Sequence, residues 1–357
     1  MDMRMKKLFV LTALLSASSL VSKADSFGVA SGFSLVALGV AASPGHAAVA
    51  GSINDGSEVT GRVAAAGMIT GIGTIGSALT NTGQFPDPYI ADATFGGTTY
   101  DLVAAGGIAN GININSDGNA FVVNSDGSAF VNGSNGKYLN FNGNGGHKGS
   151  LVTAPSASPI NFDTLRTSLQ NESASIAALV GSTISTQGSN HTTILTATDP
   201  NLDVFNITAA EFASGAIDIE THGMNPTIII NVTGAPDGVY TSGGIFLFNG
   251  QQDFSSELTN KVLFNFPDAT VLNTGSGEFA ASILAPYAKL TANTLDGTII
   301  VAQATSLNGE VHNIEFQGTL PNLPPVNHNT PSVPEPGTLA LVGTGLLSVA
   351  SKLRPRK

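Results

Sequence analysis

The sequence predicts a mainly β protein: a right-handed parallel β-solenoid-like domain with one long packing α-helix, or alternatively a β-sandwich. Three observations lead there. Apolar runs of about four to six residues are separated by Gly, Asn and Asp over most of the chain, the spacing of short strands and tight corners. Two neighbouring segments nearly repeat with a period of nine, Asn115-Ser-Asp-Gly-Asn-Ala-Phe-Val-Val and Asn124-Ser-Asp-Gly-Ser-Ala-Phe-Val-Asn. In each, Asp-Gly turns the chain and Phe-Val points one side chain inward. Finally, a single amphipathic stripe stands in this β-rich context, and a lone helix there lies along a sheet and covers it.

Taken in order, the runs Val63–Ala66, Met68–Ile69, Leu102–Ala105, Ile112–Ile114, Phe121–Val123, Phe130–Val131 and Tyr138–Phe141 read as strands. Strands this short bury a face only against neighbouring coils, which is the condition of a solenoid. Asn161 or Asp163 caps the helix, Phe162, Leu165, Leu169, Ile176 and Leu179 share one stripe, and Gly181 ends it. A second β region places strands at Thr192–Thr198, Ala216–Ile219, Thr227–Val232, Ile245–Phe248, Val262–Phe266, Phe279–Leu284, Thr298–Val301 and Val311–Phe316. Several are apolar on both faces, as buried parallel strands are. A Pro- and Asn-rich spacer follows, residues 321–333.

Both ends read as targeting segments. The leader holds two apolar runs, Leu8–Leu15 behind basic residues and Phe27–Ala42 behind Lys23, either of which serves as a signal core. Small residues after Pro44-Gly45 place the cleavage after Ala47 or Ala50, so that residues 1–47 leave and the β domain spans 48–320; cleavage after Ala24 is the alternative. At the other end, Pro334-Glu335-Pro336 is an extended handle, because each proline denies a helix to the residue before it. A short apolar run, Leu339–Ala350, follows, closed by Lys352, Arg354, Arg356 and Lys357 on the side that stays cytoplasmic. At about 20 residues for a comfortable span, this run suits a transient stop in a membrane better than a lasting anchor.

The 357-residue chain has no cysteine, so burial and backbone hydrogen bonding hold it, and thiol and zinc-thiolate chemistry are excluded. Set apart from its ends, it keeps six cations against 22 acids, a body charge of −16. Such a surface repels phosphate backbones and anionic lipid, which argues against a nucleic-acid partner.

The tail, residues 334–357, resembles the PEP-CTERM sorting signal of Gram-negative bacteria. The resemblance implies an exosortase as export partner, beside the signal peptidase that the leader calls for, and cargo of biofilm-forming cells that make exopolysaccharide. The body resembles the choice-of-anchor A domain, held to be adhesive in bacterial surface proteins. That likeness is carried by Leu263-Phe-Asn-Phe-Pro-Asp-Ala269, Ser282-Ile-Leu-Ala-Pro-Tyr-Ala288, Leu295-Asp-Gly-Thr-Ile-Ile-Val301 and Gly309-Glu-Val-His-Asn313, with Val59-Thr-Gly-Arg-Val-Ala-Ala65 near the start.

Candidate chemistry is sparse. Gly71-Ile-Gly-Thr-Ile-Gly76 matches a dinucleotide fingerprint literally but lacks the following helix. Asp117 and Asp126, at the corners of the two near-repeats, are the calcium candidates, although Asp-Gly is first a turn. His147, His191, His222 and His312 stand apart; His312 neighbours Glu310 and reads as a structural hydrogen bond. The expectation is therefore an exported cell-surface or matrix protein, adhesive or structural, not an enzyme, with no cofactor and an extracellular polysaccharide or another surface as its partner. The alternative is a carbohydrate-active lyase or hydrolase. Three or more carboxylates and a basic residue converging in a groove favour the enzyme, and a flat polar face without such a cluster favours adhesion. Ice binding would need a regular Thr-x-Thr array, of which only Thr196-Ala-Thr198 is present.

Overall fold

Short parallel strands stack into rungs around a three-faced solenoid. A computed structural model describes residues 27–43, 46–79, 90, 92–123, 138–143, 148–152, 157–182, 185–187, 192–243, 246–252 and 258–321. The chain divides into a unit ending at Leu323 and a short one from Pro324; the latter, with Pro334, Glu335 and Pro336, lies outside the described residues.

The first face is the main path of a fourteen-stranded sheet, running Asn119–Val122, Thr98–Ala104, Val63–Ala65, Leu35–Ala37, Ile299–Leu307, Ser282–Ala292, Val262–Asn265, Thr227–Thr233 and Leu202–Thr208. Every pairing along that path is parallel. The second face is a six-stranded sheet, Leu139–Phe141, Ile112–Ile114, Thr74–Ile75, Glu58–Val59, Val311–His312 and Leu295–Asp296. A third face is formed where the long strands Ser282–Ala292 and Ile299–Leu307 bend and pair again with Val271–Asn273 and Ile53–Asp55. One rung takes 16 residues from Ile283 to its neighbour Ile299, 19 from Leu263 to Ser282, and 28 from Leu35 to Val63. The nine-residue near-repeat is thus shorter than a rung. Its first copy contributes the strand Asn119–Val122, and its second lies outside the described residues.

The rungs do not stack in chain order. The chain enters at the middle of the large sheet, builds outward to Asn119–Val122, crosses to the far edge at Leu202–Thr208, and returns until Ile299–Leu307 docks beside Leu35–Ala37. The helix Phe162–Ala177 lies within that crossing. Its Phe162, Leu165, Leu169 and Ile176 bury against Val36, Ile229, Leu263, Leu284 and Ile300 on the outer side of the sheet, where the amphipathic stripe was expected to dock. Asn161 caps it, its side chain accepting from the Thr164 amide at 3.0 Å.

A ladder of asparagines bolts the helix down. Asn206, Asn231 and Asn265 stand side by side in register. Asn206 donates to the carbonyl of Leu179, Asn231 to that of Ile176 and Asn265 to that of Ser173, at 3.1, 3.0 and 2.9 Å. Three helical residues rise about 4.5 Å and parallel strands lie about 4.8 Å apart, so a helix crossing the strands offers one carbonyl per strand. The helix ends at Ala177, before Gly181, and the ladder continues one step past its end.

The second apolar run of the leader, one of the two candidate signal cores, is built into this fold. Leu35–Ala37 pairs with Ile299–Val301 on one side and Val63–Ala65 on the other. Phe33, Leu35, Val36, Ala37 and Leu38 are fully buried. Ser34 bonds Asn313 at 2.8 Å, Val40 pairs with Val49, and His46 stacks on Tyr287 with ring centroids 4.0 Å apart. Cleavage after Ala47 would remove the strand joining the two halves of the large sheet.

Candidate functional site

The third face is built from six parallel strands. Its inward row runs Tyr240, Leu272, Leu290, Ala304, Ile53 and Ile69 in one register, and all six are buried. Alternation along each strand therefore turns the next positions outward. Thr241, Asn273 and Thr291 pair across three strands and Asn54 with Thr70 across two; between these sets the register shifts, so that Thr291 pairs with Ser306 and Thr305 lies alongside, with Val239, Val271, Lys289 and Gln303 in a second row. A bulge brings the Thr305 hydroxyl to 3.2 Å from that of Thr291, and Asn54 donates to the Thr305 carbonyl at 3.1 Å. Met68, Val239 and Val271 stay exposed here at 44, 42 and 37 %. Six strands make the array about 24 Å from first to last. Its hydroxyls, amides and methyls are held by the sheet, so an extended partner meets groups that have little freedom left to lose.

The second face carries a titratable cluster at one end. Phe279 bridges Leu295, and Leu295 pairs with Val311, so Glu278, Asp296 and His312 from three successive rungs converge. One donor atom from each lies within 4.8 Å of the other two. Nδ1 of His312 is 2.5 Å from Oδ1 of Asp296, and its Nε2 is 3.1 Å from Oε2 of Glu310. The Asp296 side chain is 1 % exposed. Burial, reinforced by the hydrogen bond and the charge of Asp296, pushes Glu278 up to about 7. The bond to Asp296 outweighs burial at His312 and raises it to about 9.

Among the described residues singled out by sequence, the structure brings His312 and Glu310 together, and it adds Glu278 and Asp296, which sequence reasoning missed. The missing signal was the rung: Glu278, Asp296 and His312 are 18 and 16 residues apart, close to the 16 that separate Phe279 from Leu295 and Leu295 from Val311 in the same rungs. Asp117 lines a cavity of about 390 Å³ that also holds Arg62, Asp101, Ser116, Gly118 and Asn119. There Arg62 pairs with the buried Asp101 at 2.9 Å, and Asp101 also accepts from Ser116 and from the Gly118 amide. Asp126, His147 and His191 lie outside the described residues. His222 is exposed, with its Nε2 4.0 Å from Glu220. Gly71-Ile-Gly-Thr-Ile-Gly76 forms a corner and the strand Thr74–Ile75 rather than opening a helix.

Rungs of parallel strands with one long helix packed on the outer side of the large sheet define a mainly β, β-helix-like fold. The chain belongs to the family described as Putative Ice-binding-like adhesive domain, whose model matches residues 26–313, and a PEP-CTERM protein-sorting motif matches residues 332–357. Together they mark an exported cell-surface protein, and the motif implies processing by an exosortase. Among solved structures, the chain is similar to a glycosylated ice-binding protein from an Arctic yeast, at 11 % identity and a TM-score of 0.32, over 80 % of this chain and 92 % of that one. It is also similar to an ice-binding protein from an Antarctic biological consortium, at 12 % identity and a TM-score of 0.25, over 65 % and 93 %. No curated protein matches the chain. No helix among the described residues is long and apolar enough to cross a membrane; the apolar run of the tail lies outside them.

Proposed function

We propose that this protein is a non-enzymatic adhesin of a Gram-negative cell surface or matrix that binds an extended polysaccharide or a comparable surface through its third face. The observation that carries the reading is the set Thr241, Asn273, Thr291, Thr305, Asn54 and Thr70, exposed or half-exposed over six strands. The set mixes threonine with asparagine, and Lys289 stands beside it, a chemistry closer to a hydroxylated polymer than to the uniform threonine array expected for ice. Export passes through an inner-membrane intermediate that an exosortase cuts near Pro334-Glu335-Pro336. The triple variant Thr70→Glu, Thr241→Glu, Thr291→Glu alters exposed or half-exposed side chains only. It should abolish binding to a glycan array or to exopolysaccharide-coated beads while melting like the native chain. Unimpaired binding by the folded variant would remove the third face from the reading.

The cluster at Glu278, Asp296, Glu310 and His312 is what favours the second reading, a carbohydrate-active enzyme, because three carboxylates and a base do converge. Against it, carboxylate oxygens of Glu278 and Asp296 lie within 4.8 Å of each other, whereas glycosidase carboxylates stand about 5 to 9.5 Å apart to flank a sugar bond. Release of reducing ends from a polysaccharide panel, lost on Glu278→Gln, would establish the enzyme instead.

A further inference from the structure

The geometry points to a divalent-cation site on the second face, in which Glu278, Asp296 and His312 bind one zinc ion and tie three successive rungs together. Donor atoms that lie within 4.8 Å of one another need only small side-chain adjustments to share an ion, since ligands held at about 2.1 Å stand up to about 4.2 Å apart. Glu278 and Asp296 bring oxygens within 4.8 Å of each other, and Asp296 is almost wholly shielded from water. Two carboxylates in that position repel unless a proton or a cation lies between them.

The donor set selects the metal. One imidazole with carboxylate oxygens, in a chain without thiols, suits zinc; calcium and magnesium take sets of oxygen alone. Glu310 supplies the outer support that metal-binding imidazoles usually have. Its Oε2 accepts from Nε2 of His312 at 3.1 Å, which orients the ring and leaves Nδ1 facing Asp296 and the site. The His312 side chain is 34 % exposed, so the ion has a path in and a coordination position open to water.

The location gives the ion a structural consequence. The Asp296 amide donates to the Phe279 carbonyl and the Leu295 amide to that of Glu310, at 2.9 and 3.0 Å, so the three ligands sit on adjacent rungs. The last of these rungs is the one that docks against the N-terminal rung through Val311 and Val59. A zinc ion here clamps the closing rung, and it does so whether or not the third face is adhesive.

The test uses the full-length chain, untagged, in mild detergent and stripped with chelator. Calorimetric titration with zinc chloride at pH 7, with calcium and magnesium chloride in parallel, should show one saturable zinc site, and zinc should raise the melting temperature. Glu278→Gln and His312→Ala should each weaken zinc binding by more than about tenfold, at least the loss expected for an outer-shell partner. Glu278 is only half-buried, so its variant keeps the test valid if the His312 variant does not fold. Absence of zinc binding, zinc binding unaltered in folded Glu278→Gln, or calcium binding tighter than zinc would each overturn the site.

Discussion

Replacing Asn231 with alanine tests whether the asparagine ladder, rather than apolar contact alone, holds the helix on the sheet. Asn231 is 1 % exposed. It donates to the Ile176 carbonyl at 3.0 Å and to Oδ1 of Asn206 at 2.9 Å, and accepts from Asn265 at 2.9 Å. Three hydrogen bonds at a net value of about 1 kcal/mol each give a loss of roughly 3 kcal/mol, before any cavity is counted. For a domain of this size that corresponds to a fall in melting temperature of about 6 to 12 °C. Thermal unfolding followed by circular dichroism reads the shift, and hydrogen exchange should show the amides near Ile176 losing protection first. The double variant with Asn265→Ala should cost less than the sum of the singles, because the bond between the two asparagines is lost in both. A shift below about 2 °C, or strict additivity, would refute the ladder and leave the helix held by Leu165, Leu169 and Ile176 alone.

Leu169→Asp, which buries a charge at a site 1 % exposed, should destabilise the domain by about 4 kcal/mol, and an unchanged melting curve would show the helix to be no part of the core. Asp55 is fully buried and Oδ2 of its carboxyl has no partner; burial pushes the group up to about 7 from 3.8. An acid raised in the folded state contributes stability that is complete below about pH 4 and fades as pH rises to about 7, a change of up to about 4 kcal/mol. Asp55→Asn should flatten that decline, so a native and a variant stability curve that stay parallel from pH 4 to 8 would contradict it. Mass spectrometry of the mature surface protein should find an N-terminus ahead of Phe27, because Leu35–Ala37 joins the two halves of the sheet; one at Ala48 or Gly51 would show the sheet to form without that strand. The same spectra should lack a C-terminus at Lys357, and alanine at Pro334, Glu335 and Pro336 should leave an uncut, membrane-held precursor.

The features legible in the sequence are those whose cause is local. Asn161 caps because its side chain reaches an amide three residues on, the stripe from Phe162 to Ile176 repeats with the helix, and Ile112–Ile114 alternates as a strand must; each needs only near neighbours. The strand Leu202–Thr208 escaped because Asp203 and Asn206 interrupt its apolar pattern. Their reasons lie elsewhere: Asp203 accepts from the amides of Thr198 and Asp199, and Asn206 belongs to the ladder. Which rung lies beside which was decided by the tertiary structure alone. Backbone pairing is nearly blind to sequence, so nothing in Leu35–Ala37 names Ile299–Val301 as its partner. Only burial on both faces, between strands from opposite ends of the chain, turns a run that resembles a signal core into the middle of a sheet. The same non-local stacking brings Glu278, Asp296 and His312 together, because residues one rung apart in the chain become neighbours only once the rungs are in register.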